Sequence, residues 1–291
     1  MCDTKGHDID IKESLVAELR QLEMDKGRTP TSRDIGTIHG LHSYHSYRKV
    51  FGTWNNALKA TGIKLNQHRF SEAEAISNER VEYVTQQLKI SSVSTEFIKD
   101  LKKAYLFGAI MGDGCLNYYC YGPKRQHYLI QFSNTSKLFV DEVMEAMEYL
   151  GIKPRFIKRD KNYFNDSCTR KPIYQVQGNN RDFVMWFKNT SLETFEKWLT
   201  SDVRLAVLFL KGFYEAEGCC SQKKVHFDNT NKELIMLVEN LVHHLGFCIC
   251  KLKKSPIPSG KIKYTIRLPK ICTDVFLSVI NPCIKRGDAY V

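Results

Sequence analysis

Two acid–glycine pairs, Asp113-Gly114 and Glu217-Gly218, are the residues of this chain best suited to chemistry. Each closes an apolar nine-residue run, LFGAIMGDG over 106–114 and LKGFYEAEG over 210–218. Two carboxylates brought side by side repel each other unless protons or a metal neutralise them. With oxygen donors and a phosphate as the third party, Mg²⁺ is the natural ion. Such a site would support metal-assisted phosphodiester hydrolysis. The metal would polarise the phosphoryl oxygen, lower the pKa of an attacking water and stabilise the leaving 3′-oxygen.

The elements that must position these acids are helices. In each run small residues recur four apart, Gly108 and Gly112 in the first, Gly212 and Ala216 in the second. That spacing puts them on one face, where they let two helix backbones come close. Each acid then sits at a helix C-terminus, facing the negative end of the macrodipole, and a divalent cation reverses the resulting penalty. Gly114 and Gly218 suit left-handed C-caps.

The chain has 291 residues, enough for two or three small domains. Its formal net charge of +11 points to a polyanionic partner such as nucleic acid or an acidic membrane surface. No apolar run spans a bilayer and the N-terminus lacks an apolar signal core, so an intracellular protein is expected, cytoplasmic or organellar. Ten cysteines occur without a CxxC pair, which reads as reduced thiols rather than a zinc site. Cys248, Cys250 and Leu252 alternate as core residues of a strand would.

Residues 1–66 read as a small helical module of helix-turn-helix character. Helices are expected over Ile9–Lys26, from Pro30 to near Gly40, over Tyr44–Phe51 and over Trp54–Thr61, with the aromatics as a miniature core. His39, His42 and His45 are three apart, which is not ligand spacing on a helix. Residues 67–95 read as a linker, helical over Gln67–Lys89.

The remainder is an internal duplication, 96–200 and 201–291. Asp113 and Glu217 lie 104 apart, and Gln131–Lys137 (QFSNTSK) is echoed 95 residues on by His226–Lys232 (HFDNTNK). Leu150-Gly151 is echoed by Leu245-Gly246. The nine-residue excess of the first copy falls between Gly114 and Phe132 and contains Gly122-Pro123, so its hairpin should be longer. Each copy reads as αββαββα, an α+β half-domain with an antiparallel sheet, the two packed through their motif helices in a pseudo-twofold arrangement. The interior helices are expected over Lys137–Leu150 and Lys232–Leu245, the second opened by a Thr230/Glu233 capping box.

Period-2 patterning defines the open faces of the sheets. Lys261, Lys263, Thr265 and Arg267 alternate with apolar neighbours in the second copy, and Lys251 and Lys253 precede them. The first copy offers Lys171, Ile173, Gln175 and Gln177, preceded by Arg155 and Arg159. The first hairpins add Lys124, Arg125 and Gln131 in one copy and Lys223, Lys224 and His226 in the other. From Gln222 to Lys270 there are ten Lys or Arg against three Asp or Glu. Basic residues mixed with Gln and Thr can read base edges, and strands fit a major groove.

The two runs resemble the paired motifs of the LAGLIDADG homing endonucleases. Leu106, Gly108, Ile110, Asp113 and Gly114 match, as do Leu210, Gly212, Glu217 and Gly218; Met111 and Glu215 fill a position that the family varies. Gly27–Ile63 resembles the small repeat appended to such enzymes, through Gly27, Pro30, Thr31, Asp34, Tyr47, Phe51, Gly52, Trp54, Ala57, Leu58 and Gly62. The resemblance implies a single-chain, monomeric nuclease that cuts both strands of a long asymmetric DNA site, using two or three divalent ions. It implies that Asp113, Glu217, Gly112 and Ala216 surround the metal, that Gly108, Gly112, Gly212 and Ala216 form the helix interface, and that the repeat is an accessory DNA binder. The family also places a lysine near the bound water in each half. Lys285 in INPCIKR fits for the second copy, and the first offers Lys188 or Lys197. An intron RNA maturase, with RNA as partner, would share the fold and charge. A sequence-specific regulator on an inactive core would typically lose the two acids.

Overall fold

The structure, a computed structural model, describes residues 4–35, 42–63, 75–120, 126–159, 172–222 and 224–284. It divides into two units, Met1–Ser71 and Glu72–Val291. No helix among the described residues is long and apolar enough to cross a membrane.

In the first unit, α1 (Thr4–Lys26), α2 (Ser32–Ile35), α3 (Tyr44–Phe51) and α4 (Trp54–Thr61) enclose a core of Leu15, Leu19, Leu22, Ile35, Tyr47, Ala57, Leu58 and Ile63. Tyr47 is buried and Phe51 and Trp54 pack against that core, so the aromatics do serve as core. Glu18 ties the unit together: it accepts from the Tyr47 hydroxyl at 2.8 Å and sits 2.5 Å from His42 Nδ1. Burial, with Glu18 adding to it, pushes the Tyr47 phenol well above its usual range. Asp34 accepts from Thr31 N and Oγ1, each at 2.7 Å, and from Arg28. The Arg28 guanidinium and those bonds hold the Asp34 carboxyl well below the carboxylate range. The expected helix end near Gly40 lies outside the described residues, as does His39.

The second unit opens with α5 (Asn78–Leu88) and then repeats one motif twice. The first copy runs α6 (Thr95–Asp113), β1 (Gly114–Cys120), β2 (Gln126–Asn134), α7 (Lys137–Tyr149), β3 (Arg155–Arg159), β4 (Ile173–Asn179), α8 (Arg181–Asn189) and α9 (Leu192–Thr200). The second runs α10 (Val203–Glu217), β5 (Gly218–Ser221), β6 (Lys224–Asn229), α11 (Lys232–His244), β7 (Cys250–Pro256), β8 (Ile262–Arg267) and α12 (Thr273–Ile280). Both sheets are antiparallel, with equivalent orders β1-β2-β4-β3 and β5-β6-β8-β7. The α+β duplication expected from the echoes is therefore present. The two interior helices are capped alike: Ser136 accepts from Phe139 N and Asn231 from Leu234 N. The cap of α11 is thus Asn231, not Thr230, because the echo of Ser136 falls one residue later.

The parallel pair α6 and α10 forms the seam. A Cβ on Gly108 would fall on the Phe209 carbonyl oxygen and 2.9 Å from Phe213 N. One on Gly212 would fall on the Tyr105 carbonyl oxygen and 2.9 Å from Ala109 N. One on Gly112 would strike Ala216 Cβ. The rings of Phe107, Phe195, Phe209 and Phe213 close around this contact, with 5.0 Å between the Phe107 and Phe209 centroids. A fully buried Phe contributes about 2–3 kcal/mol by transfer alone.

Three expectations are corrected. Gly114 and Gly218 are not left-handed caps: they are extended, at φ −96° and −74°, because each acid is followed at once by a strand. Glycine is needed there for space, since a Cβ on Gly114 would sit 2.5 Å from Ile110 Cα and one on Gly218 2.6 Å from the Tyr214 carbonyl oxygen. The simple alternation through Cys248, Cys250 and Leu252 is broken, because β7 starts at Cys250 and its register shifts between Cys250 and Lys253. The stretch from Ala75 to Leu88 does not hang free as a linker. Ser77 N donates to Gly246 O at 2.8 Å, Cys248 N to Ala75 O at 2.9 Å, and Arg80 Nε to His244 O at 2.8 Å.

Gly108→Ala and Gly212→Ala should each lower stability by about 3 kcal/mol, since backbone on the facing helix cannot yield to the added methyl. Gly151→Ala, at φ +71° with open space around it, should cost about 1 kcal/mol. Calorimetric unfolding of the three variants checks the difference.

Candidate active site and nucleic-acid face

The parallel packing of α6 and α10 brings Asp113 and Glu217 to the same end of the seam. A Cβ on Gly112 would lie 2.9 Å from Glu217 Cγ, so Glu217 reaches along the first helix to the residue before Asp113. Asn134, at the end of β2, donates its Nδ2 to Asp113 Oδ2 at 2.6 Å while its Oδ1 accepts from Ser136 N. The equivalent Asn229 also accepts from its turn, at Asn231 N. The repeated Asn in QFSNTSK and HFDNTNK is the sequence signal that could have marked Asn134.

Because β1 and β5 leave directly from these helix ends, the acids stand at the root of both sheets. Ile130, Phe132, Val176, Val225, Phe227 and Ile266 are buried on the helix side. The opposite side carries the cross-strand rows Cys115–Gln131–Gln177–Arg155 and Cys219–His226–Arg267. Gln177 Nε2 donates to Gln131 Oε1 at 3.1 Å. Arg155, Arg159, Lys224, Lys251, Lys253, Lys261 and Arg267 are exposed, and His226 and Lys263 are half-buried. Lys124, Arg125, Lys171, Lys223 and Lys285 lie outside the described residues.

Two residues expected to face outward are covered instead. Gln175 is 1% exposed and Thr265 3%, since they occupy the central strand position of each sheet with neighbours on both sides. Thr265 Oγ1 donates to Asp228, whose other oxygen accepts from Lys263 Nζ at 3.3 Å. Gln175 Nε2 is a buried donor without a hydrogen-bond partner among the described residues. Of the first-copy lysines, Lys188 lies 5.3 Å from the Tyr118 ring centre and Lys197 pairs with Glu193 at 2.8 Å on the surface.

One further polar group stands at the seam, at a position whose residue type alone does not mark it. Glu215 is fully buried, accepting from the Tyr105 hydroxyl at 2.7 Å and from Cys283 N at 2.6 Å. Burial raises its carboxyl above the usual range, against the opposing pull of those two bonds and of Lys211. Burial likewise raises Tyr105 and the Cys283 thiol. Lys211 itself pairs with Glu142 at 2.7 Å. Glu142, Glu215 and Cys283 offer ligand atoms within 4.8 Å of one another. Their charge is already met by Lys211, Tyr105 and a backbone N–H, so this cluster does not call for an ion. Asp113 and Glu217 are an all-oxygen pair of the kind that a hard divalent ion takes.

A family profile described as the LAGLIDADG-like domain matches residues 100–190 and 204–280, well over half of the chain. The chain belongs to the LAGLIDADG-like family. A second profile, the homing endonuclease associated repeat, matches residues 11–64. An uncharacterized protein of Methanocaldococcus jannaschii is 26% identical over 153 residues, 49% of this chain and 54% of that protein. Homing endonuclease I-DmoI of Desulfurococcus mucosus is 27% identical over 143 residues, 49% of this chain and 70% of that one. This chain thus spans only about half the length of the Methanocaldococcus relative. A crystal structure of an I-DmoI variant with its target DNA and Mg shares the fold, with a TM-score of 0.50 and 21% identity, covering 63% of this chain and 97% of that one. The LAGLIDADG-like domain thus accounts for both repeats, and the appended repeat for most of the first unit.

Replacing Gln175 by Met should raise the stability of the DNA-free protein by about 1 kcal/mol, because an unpaired buried donor is removed without changing volume much. Equilibrium denaturation checks this; a loss of stability would show that Nε2 has a partner.

Proposed function

We propose that the chain is a homing endonuclease that makes a double-strand break in a long, asymmetric DNA target. The observation that carries this reading is the placing of Asp113 and Glu217 together, at the root of two sheets whose open faces are basic and polar. The name of I-DmoI and the DNA-bound structure of its variant support it.

In this reading Asp113 and Glu217, with Gly112 and Ala216 beside them, hold divalent metal, for which Mg²⁺ is the expected ion. Bound there, it supplies charge neutralisation at the scissile phosphate and an activated water. Asn134 holds the Asp113 carboxylate in one orientation. Lys285 is the candidate for the lysine beside the water. Arg155, Arg159, Lys224, Lys253, Lys261 and Arg267 neutralise phosphates, while Gln131, Gln177 and His226 face base edges. One acid from each half implies one cut per strand, and two unlike halves in one chain make a palindrome or a dimer unnecessary. The helical repeat over 11–64 adds affinity or lengthens the site.

Cleavage of a plasmid library of candidate sites should occur in Mg²⁺ and not in Ca²⁺. Asp113→Asn with Glu217→Gln should lower it by about 100-fold or more while binding persists. Tight sequence-specific binding without any cleavage by wild type would point to a regulator, and preference for structured RNA to a maturase. Deleting residues 1–65 should weaken DNA binding and flatten its salt dependence, leaving cleavage in place. Loss of all cleavage would make the repeat part of the catalytic unit.

A further inference from the structure

The eight described strands hold nine Lys or Arg and a single acid, Asp228. Phe227 beside it is buried on the helix side, so Asp228 shares the open face of the second sheet with His226. Its side chain keeps 27% of its surface exposed, so a ligand can reach it. A carboxylate on a face that meets a polyanion is repelled by the phosphates. The fold does not require an acid there. The echo of Asp228 in the first copy is Ser133, which lies opposite Gln175 as Asp228 lies opposite Thr265.

Asp228 is held in one orientation. The buried Thr265 hydroxyl donates to its Oδ1, and Lys263 Nζ donates to Oδ2 at 3.3 Å, with His226 Nε2 3.8 Å from that same oxygen. An ionised carboxylate has about four acceptor positions and no donor. Thr265 and Lys263 take one each, so the group can accept from a further donor. Phosphates offer none, whereas bases do. In the major groove guanine and thymine show acceptors, O6 and O4, and the N6 amine of adenine stands beside the acceptor N7. Cytosine shows its N4 amine alone. An acceptor-only group therefore favours cytosine.

The register pairs Phe227 with Gly218, and continuing it by one residue sets Asp228 level with Glu217, at the root of the sheet. Asp228 does not complete a three-ligand group with the two acids of the helix ends. Among the described residues the one such group, with ligand atoms within 4.8 Å of one another, is Glu142, Glu215 and Cys283.

We propose that Asp228 is a specificity-determining residue that accepts from the N4 amine of one cytosine, at a base pair toward the middle of the DNA target on the side of the second half. The proposal rests on the reading above only in that the open faces meet DNA.

The test is selection of bound sequences from randomised duplex DNA in Ca²⁺, for wild type, Asp228→Ser and Asp228→Asn. Wild type should select cytosine at one such position by about 10–100-fold. Asp228→Ser, which copies the first half, should lose that preference and no other, without binding random DNA more weakly. If Asp228→Ser fails to fold, Asp228→Asn keeps an acceptor for Thr265 and should shift the same position toward adenine, whose N6 and N7 match an amide. Replacing the selected cytosine by 2-pyrimidinone, which lacks the amine, should weaken wild type about tenfold and leave Asp228→Ser unchanged. Preferences unaltered at every position in the variants would overturn the proposal. So would a loss of affinity equal for all sequences, which would make Asp228 a support for Lys263 alone. A selected cytosine lost in Asp228→Ser, with no cleavage by wild type in Mg²⁺, would remove the nuclease reading and uphold the proposal. Absence of any selected sequence would overturn both.

Discussion

Everything in the second unit depends on how closely two helix backbones approach. At Gly108 and Gly212 each helix lies against a carbonyl oxygen of the other, with no room for a methyl group. Only a parallel pair at that distance puts Asp113 and Glu217 at one end, and only there can a single charge serve both. The strands begin on the very next residue, so the same contact that unites the acids also roots both sheets. Fold and site are set by one interaction.

Much of this was legible because it is local or repeated. The small-residue spacing, the acids and the echoes at 104 and 95 residues define the duplication without any knowledge of contacts. Helix ends in the repeats came within a residue or so, since the cap positions recur with the echo. What was not legible depends on partners distant in sequence. Gly114 resembles a cap by type, yet what excludes a side chain there is Ile110 one turn back. Gln175 and Thr265 obey the alternation expected of them, and only the neighbouring strands decide that they are covered. The shift at Cys250–Lys253 leaves no mark in the residues themselves. Glu215 looked like a variable motif position, because Tyr105 and Cys283 lie 110 and 68 residues away.

The two halves share a framework and differ in polar detail. Glu215 of the second half stands where the first half has Met111. The first sheet presents glutamines and arginines, and the second mainly lysines with one acid, Asp228, satisfied by Thr265 and Lys263. In the proposed nuclease, such differences would suit an asymmetric target, because unlike side chains on two pseudo-symmetric sheets read unlike sequence.

The central claim is that the paired helix ends form one divalent-metal site. Anomalous diffraction from crystals of the protein with DNA and Mn²⁺ tests it most directly. The account predicts manganese bounded by the Asp113 and Glu217 carboxylates. Manganese at Glu142, Glu215 and Cys283 instead, or none at the helix ends, would contradict it.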